Sequence, residues 1–400
     1  MQAVGATPKR ALEFGIYRDG DNNLDESQAV TLGQAVSVSK ADSSIDFAIE
    51  DTTSRRGDGL QTFNYGIADG SVHDAHASAG ADMASPDNLA KFVAHTLDEA
   101  EKNGATQTWI ELSDHGAGDG GGLQADSSAQ IMSIDGMAAA IAKGIAMHAN
   151  AHPEDADRKI DGVAANQCLM SSLGFADELS HAGVRFLAAS PETMLSPGTP
   201  SSVAHAIAQH VDDPAAMANA VVKNVMDYKY GAGGETWGPA ACFDVLDLSA
   251  PKWSAVETSV KRFNDTLSSS NKNTDKAIRQ DTQSIDGMVR FRDATPDMPW
   301  HADRPAIALY NAIAKDGRVD GSLRALAAAA ASSISSTVLA HAESSDFAPF
   351  GDSNYTDAAG PTVHAPVNSS QIDPWAPNLS ETANTFYKDV DQSAFARAIA

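Results

Sequence analysis

The chain has 400 residues and a mass of 41.7 kDa, enough for two or three domains or one large elaborated domain. Its 42% hydrophobic and 20% charged residues exclude wholesale disorder. A net charge of −25 argues against nucleic acid and anionic membrane surfaces as partners and leaves neutral or basic ones. The longest apolar stretch, Ala325 to Ala331, is far short of the roughly 20 residues that span a bilayer, so no membrane insertion is expected. The opening residues, MQAVGATPKRALEFGIY, lack a charged lead followed by a long apolar run, the mark of a signal peptide. The compartment, secreted or cytoplasmic, stays open, as does the oligomeric state.

The first half alternates strand and helix patterns. Leu12 to Tyr17 reads as a strand, followed by the loop Arg18 to Asn23 and a helix from Leu24 to Ser39. Ile45 to Glu50 is a second strand. Gln61 to His76 reads as a hairpin about an Asp69-Gly70 turn. A helix is expected over 87–102. The strand Thr106 to Leu112 then runs into Ser113-Asp-His-Gly-Ala-Gly118. Ser133 caps a helix reaching Asn150. A polar connection at 151–157 leads to the strand Ile160 to Ala165, which ends at Asn166-Gln-Cys168. Leu169 to His181 is helical, and Val184 to Ala189 is another strand. This alternation predicts an α/β fold, a mostly parallel sheet with helices on both faces. Ligands in such sheets sit beyond the carboxyl ends of the strands.

Beyond residue 200 helices dominate, at 201–210 and 214–228. A glycine-rich loop, Gly231 to Gly238, precedes the strand Ala241 to Leu246, and a late strand-like piece covers 360–366. Irregular structure is expected at 344–355 and 367–377. The domain reading is a first unit over 1–248 and a helix-rich C-terminal region over 249–400, packed on the first.

With only two cysteines, no disulfide framework exists. Cys242 alternates with apolar neighbours and reads as core. Cys168 differs, because it ends one core strand while His115 ends another. Adjacent strand ends lie about 5 Å apart, so thiol and imidazole converge on one crevice. A helix beginning at Cys168 would favour the thiolate through its free N–H groups and dipole. His115 would hold the proton and pass it to a leaving amine. Gly116 lets the backbone approach a substrate, and its N–H with that of Cys168 forms an oxyanion hole worth roughly 3–4 kcal/mol per donor.

Four stretches resemble the clostripain-like cysteine peptidases, relatives of caspases, legumains and gingipains. They are Phe14-Gly-Ile-Tyr-Arg-Asp-Gly-Asp-Asn-Asn-Leu24, Leu112-Ser-Asp-His-Gly-Ala-Gly118, Cys168-Leu-Met to Glu178, and Leu187-Ala-Ala-Ser-Pro-Glu192. Ala241 to Leu248 matches a further strand more loosely. The similarity covers about residues 10–250. It implies a caspase-like fold, a His115/Cys168 dyad, peptide or protein substrates, and a pocket lined by Asn166, Ser190 and Glu192 that takes a basic residue. The chain departs from the family where Asn166 stands for an Asp two residues before the cysteine, and where Ser196-Pro-Gly-Thr199 lacks the usual pocket Asp. Glu192 or Glu235 could substitute, so basic specificity is left open. Self-cleavage between the catalytic blocks, as in the family, would fall at Arg158-Lys159 rather than at Lys143 inside a helix.

No cofactor and no metal is expected. Asp19-x-Asp21-x-Asn23-x-Asp25 echoes a calcium loop, but Leu24 and Val30 occupy the positions that need Gly and Glu. Calcium is kept as an ion that some relatives use. His73, Asp74 and His76 lack a third ligand nearby for zinc. His148 and His152 flank a helix end, where the dipole favours histidine. Trp237 reads as a substrate contact on the cleft rim. The competing reading is a weak or inactive caspase-like protein that serves as a binding module.

Overall fold

A computed structural model describes residues 10–55, 59–232, 235–285, 302–344, 358–367 and 385–399. Runs of β-branched, aromatic and small residues build a nine-stranded sheet. Its strands are β1 (Leu12–Gly20), β2 (Ile45–Thr53), β3 (Gln61–Ala68), β4 (Ser71–Ala79), β5 (Gln107–Ser113), β6 (Gly162–Asn166), β7 (Phe186–Ala189), β8 (Cys242–Asp247) and β9 (Val338–Glu343). The order across the sheet is β9-β8-β7-β6-β5-β1-β2-β3-β4. The five central strands, β2 to β7 through β1, β5 and β6, are parallel. Antiparallel strands extend both sides, β3 and β4 on one and β8 and β9 on the other. The hairpin turn sits at Asp69-Gly70 as expected, with φ of 50° and 73°.

The helices that cover the sheet are α1 (Val30–Ala41), α2 (Pro86–Asn103), α3 (Ile134–Ala151), α4 (Leu173–His181), α5 (Val203–Ala208), α6 (Pro214–Asp227), α7 (Ala250–Leu267), α8 (Lys272–Ser284), α9 (Ala306–Lys315) and α10 (Gly321–Thr337). Strand side chains alternate between two cores. Phe14, Ile16 and Trp109 pack with α1, α5 and α6 on one face. Tyr17, Ile110 and Leu112 pack with α2, α3, α4 and the later helices on the other. Ser133 caps α3 by accepting from Gly136 N at 3.2 Å. Among the described residues no helix is long and apolar enough to cross a membrane.

Expectations for three elements are corrected. β1 runs on through Arg18 to Gly20, because its end is buried against β2 rather than looped out. The helix expected from Leu169 starts only at Leu173, where the Ser172 hydroxyl accepts from Phe175 N. Leu169 has a φ of 66°, which no helix accommodates, so Cys168 lies in a turn. The sheet and one core continue past residue 248, since β9 pairs with β8 and Leu246 packs with Trp253, Val256 and Ile334. The strand at 360–366 narrows to Thr362–His364, paired with Asp303–Pro305. Most of 344–355 and 367–377 lies outside the described residues.

Arg18, fully buried at the end of β1, fixes the loop that follows. Its Nε donates to Asp51 Oδ1 at 2.7 Å, Nη1 to the Asp25 carbonyl at 3.0 Å, and Nη2 to Asp25 Oδ1 at 3.2 Å. Burial alone would raise the Asp25 carboxyl, but donors from Thr53, Ser54 and Arg18 hold it below the usual range. Replacing Arg18 strands two carboxylates in the interior. Arg18→Leu should cost about 3–5 kcal/mol, read as a lower urea midpoint with an unchanged slope.

Candidate active site

The register Ser113↔Asn166 closes the β5–β6 pair, and His115 and Cys168 each follow two residues later. Further bonds stitch the two loops together. Asp114 N donates to the Asn166 carbonyl at 3.3 Å, and Gln167 Nε2 to the His115 carbonyl at 2.8 Å. Gly116 lies directly on the cysteine backbone: a Cβ there would sit 2.4 Å from the Cys168 carbonyl oxygen and 3.0 Å from its nitrogen. Only glycine fits that contact. The sulfur and the imidazole therefore ride on abutting stretches of backbone. The amides of Gly116 and Cys168 donate to no other group among the described residues.

His115 is half-buried, and its Nε2 lies 2.7 Å from Asn23 Oδ1. An amide oxygen only accepts, so Nε2 carries the hydrogen and Nδ1 keeps a lone pair. Burial lowers the imidazole's pKa, with Asp126 pulling the other way, so the ring is neutral. Sequence reasoning missed Asn23 as the group that aims the histidine. The signal available was the Asp-Asn-Asn run itself. Asn22 of the same run donates to Asp114 Oδ1 at 2.6 Å.

Cys168 is also half-buried and is laced to the next strand end. Met194 N donates to its sulfur at 3.3 Å, and Leu169 N to the Glu192 carbonyl at 3.1 Å. Burial pushes the thiol up to about 11, while Glu192 and Asp114 add to the shift and Met194 N–H opposes it. The expected thiolate on a helix N-terminus is thereby corrected. No helix starts at Cys168, and the surroundings keep the thiol protonated. The C-terminal region props this turn, since Thr362 N donates to the Ser171 carbonyl at 2.9 Å and Ser171 Oγ to Asp244 Oδ2 at 2.7 Å.

Of the expected pocket residues, Asn166 is 2% exposed and forms a wall. Its Oδ1 accepts from Thr199 N at 2.8 Å, and its Nδ2 donates to Ser113 Oγ at 3.1 Å, Glu111 Oε1 at 3.3 Å and the Pro197 carbonyl at 3.3 Å. A side chain on Gly198 (φ 84°) would strike Asn166 Oδ1. Glu192 is buried and turns its carboxylate to Thr193, whose N lies 2.7 Å away. Ser190 follows directly on β7. It is fully buried, and its hydroxyl donates to the Cys242 carbonyl at 2.9 Å. Cys242 itself is core. The acid that sequence reasoning missed is Glu111, fully buried in β5 behind Asn166. Its Oε2 has no hydrogen-bond partner, and burial raises its pKa to about 8. It reads in sequence as one polar residue in a core strand, with nothing to set it apart.

The side chains of the calcium-like loop bond within the protein. Asp19 Oδ1 takes Asp21 N, Asp21 Oδ2 takes Ser127 N, Asn23 takes His115, and Asp25 takes Arg18 and Arg55. Trp237, half-buried, donates from Nε1 to the Ser196 carbonyl at 3.4 Å; the side chain of Glu235 lies outside the described residues. Arg158 is pinned to Asp155 and to the Ala105 carbonyl, while Lys159 is exposed.

Solved structures with this arrangement of strands decide the fold. The structure of an inactive zymogen C11 protease from Parabacteroides distasonis matches with a TM-score of 0.63 at 14% identity, over 96% of this chain and 99% of that one. A secreted C11 cysteine protease from Bacteroides thetaiotaomicron in complex with an irreversible peptide inhibitor matches with a TM-score of 0.65 at 13% identity, over 96% and 99%. The same organism's secreted C11 cysteine protease, iotapain, matches with a TM-score of 0.61 at 14% identity, over 98% and 100%. The chain has the fold of the C11 cysteine proteases. No protein-family model matches it, and no curated protein matches its sequence.

The protonated thiol makes a direct prediction. Thiolate is the species that reacts with iodoacetamide. Alkylation of Cys168 should therefore be slow at pH 7 and climb about tenfold per pH unit up to about 11, followed by mass spectrometry of the Cys168 peptide. A plateau near pH 7 would contradict it.

Proposed function

We propose that the protein is a cysteine endopeptidase in which Cys168 attacks the scissile carbonyl. The observation that carries this is the meeting of the two loops at Gly116, fixed by the Ser113↔Asn166 register. The resting pair is neutral, thiol and imidazole. As Sγ bonds to the carbonyl carbon, the thiol proton passes to His115 Nδ1. The Gly116 and Cys168 amides receive the oxyanion. The imidazolium then protonates the amine as the C–N bond breaks, which leaves a thioester. Water attacks the thioester with His115 as base, and the proton returns to sulfur. No cofactor enters this chemistry. Asn23 is a positioning residue that holds the ring by Nε2.

Cleavage after Arg or Lys is part of the same proposal. Asn166 carries no charge, but Glu111 stands behind it with an unpartnered oxygen. A guanidinium or ammonium brought to this wall draws the proton off Glu111 and pairs with the carboxylate. Because the empty site holds Glu111 near pKa 8, preference for basic over neutral residues should grow between pH 6 and 9. Peptide-library profiling of wild type and Glu111→Gln checks this. The variant should lose at least tenfold in Arg and Lys cleavage and keep its neutral cleavage.

The binding-module reading is favoured by one feature. The thiol is held by Met194 and the imidazole by Asn23, and neither is bonded to the other. An electrophilic peptide inhibitor separates the two readings. Peptidase chemistry places the adduct on Cys168, and Asn23→Ala should lower kcat about tenfold with KM little changed. No adduct and no cleavage by wild type would leave the binding role.

A further inference from the structure

Ahead of β6 in the chain, α3 ends in His148 and His152, one turn apart, against Asp98 and Glu101 of α2. His148 is 1% exposed. Its Nδ1 lies 2.7 Å from Asp98 Oδ1. Its buried Nε2 has no hydrogen-bond partner and faces Asp155 Oδ2 at 3.4 Å. His152 places Nδ1 2.6 Å from Glu101 Oε2 and Nε2 3.3 Å from Asp98 Oδ1. The two rings stack at 4.9 Å between centroids, with 16° between planes. A helix dipole accounts for a histidine at this end. It does not account for carboxylates gathered around all four ring nitrogens.

We propose that these residues form a binding site for a divalent transition metal of the zinc class. His148 Nε2, a nitrogen of His152 and the carboxylates of Glu101 and Asp155 are the donors. Asp98 holds His148 from behind through Nδ1–H, the usual outer partner of a ligating imidazole. Within the group Glu101–His148–Asp155 the ligand atoms already lie within 4.8 Å of one another. A tetrahedral site with bonds of about 2.0–2.1 Å needs ligand atoms about 3.4 Å apart. The 3.4 Å between His148 Nε2 and Asp155 Oδ2 meets this, and turns of the half-exposed Glu101, His152 and Asp155 side chains close the rest.

Charge points the same way. Arg158 pairs with Asp155, so the four carboxylates Asp98, Glu101, Glu154 and Asp155 leave an excess of three negative charges. One divalent cation offsets most of it. Two stacked imidazolium rings would repel each other, whereas neutral rings on a metal do not. Imidazole donors select transition metals over calcium or magnesium. The ion would clip the ends of α2 and α3 to the turn that carries Arg158.

The test uses the full chain with Cys168→Ala, which removes the thiol as a competing zinc ligand, stripped by chelator and titrated calorimetrically with zinc chloride. One equivalent should bind with low micromolar affinity or better. His152→Gln and Glu101→Gln, both at partly exposed positions, should weaken binding at least tenfold, and Asp98→Asn by about 10–100-fold. At hundredfold excess over Kd, zinc should raise Tm by about 3 °C. His181→Gln, in the separate Asp177–His181–Glu257 group, should change nothing. Absence of saturable micromolar binding overturns the proposal. So does binding that survives both His152→Gln and Glu101→Gln, or that vanishes with His181→Gln.

Discussion

The register between β5 and β6 is the constraint on which the rest depends. A strand pair shifted by one residue turns every side chain to the opposite face. Here Ser113 opposite Asn166 fixes both loop origins at once, and the next two residues of each loop carry the imidazole and the thiol. The cores on the two sheet faces hold that register, because Ile110 and Leu112 must face one and Trp109 the other. Gly116 then lets the loops touch without a Cβ between them.

Burial sets the electrostatics of the crevice. Asp114 is pushed well above the usual carboxylate range, first by burial and then by Asp19. Glu111 and the Cys168 thiol are raised for the same leading reason, and His115 is lowered by it. Each group is driven toward its uncharged form. In a chain with a net charge of −25, this keeps mutual repulsion out of the interior. The work of creating charge is deferred until a substrate brings groups that stabilise it.

The strands were readable because core strands in a parallel sheet are runs of apolar and small residues, and Leu12–Tyr17, Gln107–Leu112 and Gly162–Ala165 are such runs. That the loops bearing His115 and Cys168 lie side by side followed from where those runs stop. What escaped depends on contacts distant in sequence. The late start of α4 is set by the bridge of Ser172 to Thr362 and by the left-handed Leu169, neither visible in a helical-looking Leu-Met-Ser-Ser-Leu run. Asn23 reaches a histidine 92 residues away. Ser190, placed at the pocket by the family resemblance, gives its hydroxyl to the adjacent β8 carbonyl, a bond no sequence pattern marks. Glu111 is hidden in plain alternation, and only burial distinguishes it.

The sheet's last strand is drawn from residues 338–343, and the turn bearing the sulfur leans on Thr362. Residues up to 250 hold His115 and Cys168 but neither of these supports. β9 covers the edge of β8, and Thr362 braces the turn from outside. The crevice is in this way braced by a part of the sequence that lies well beyond the strands that carry it.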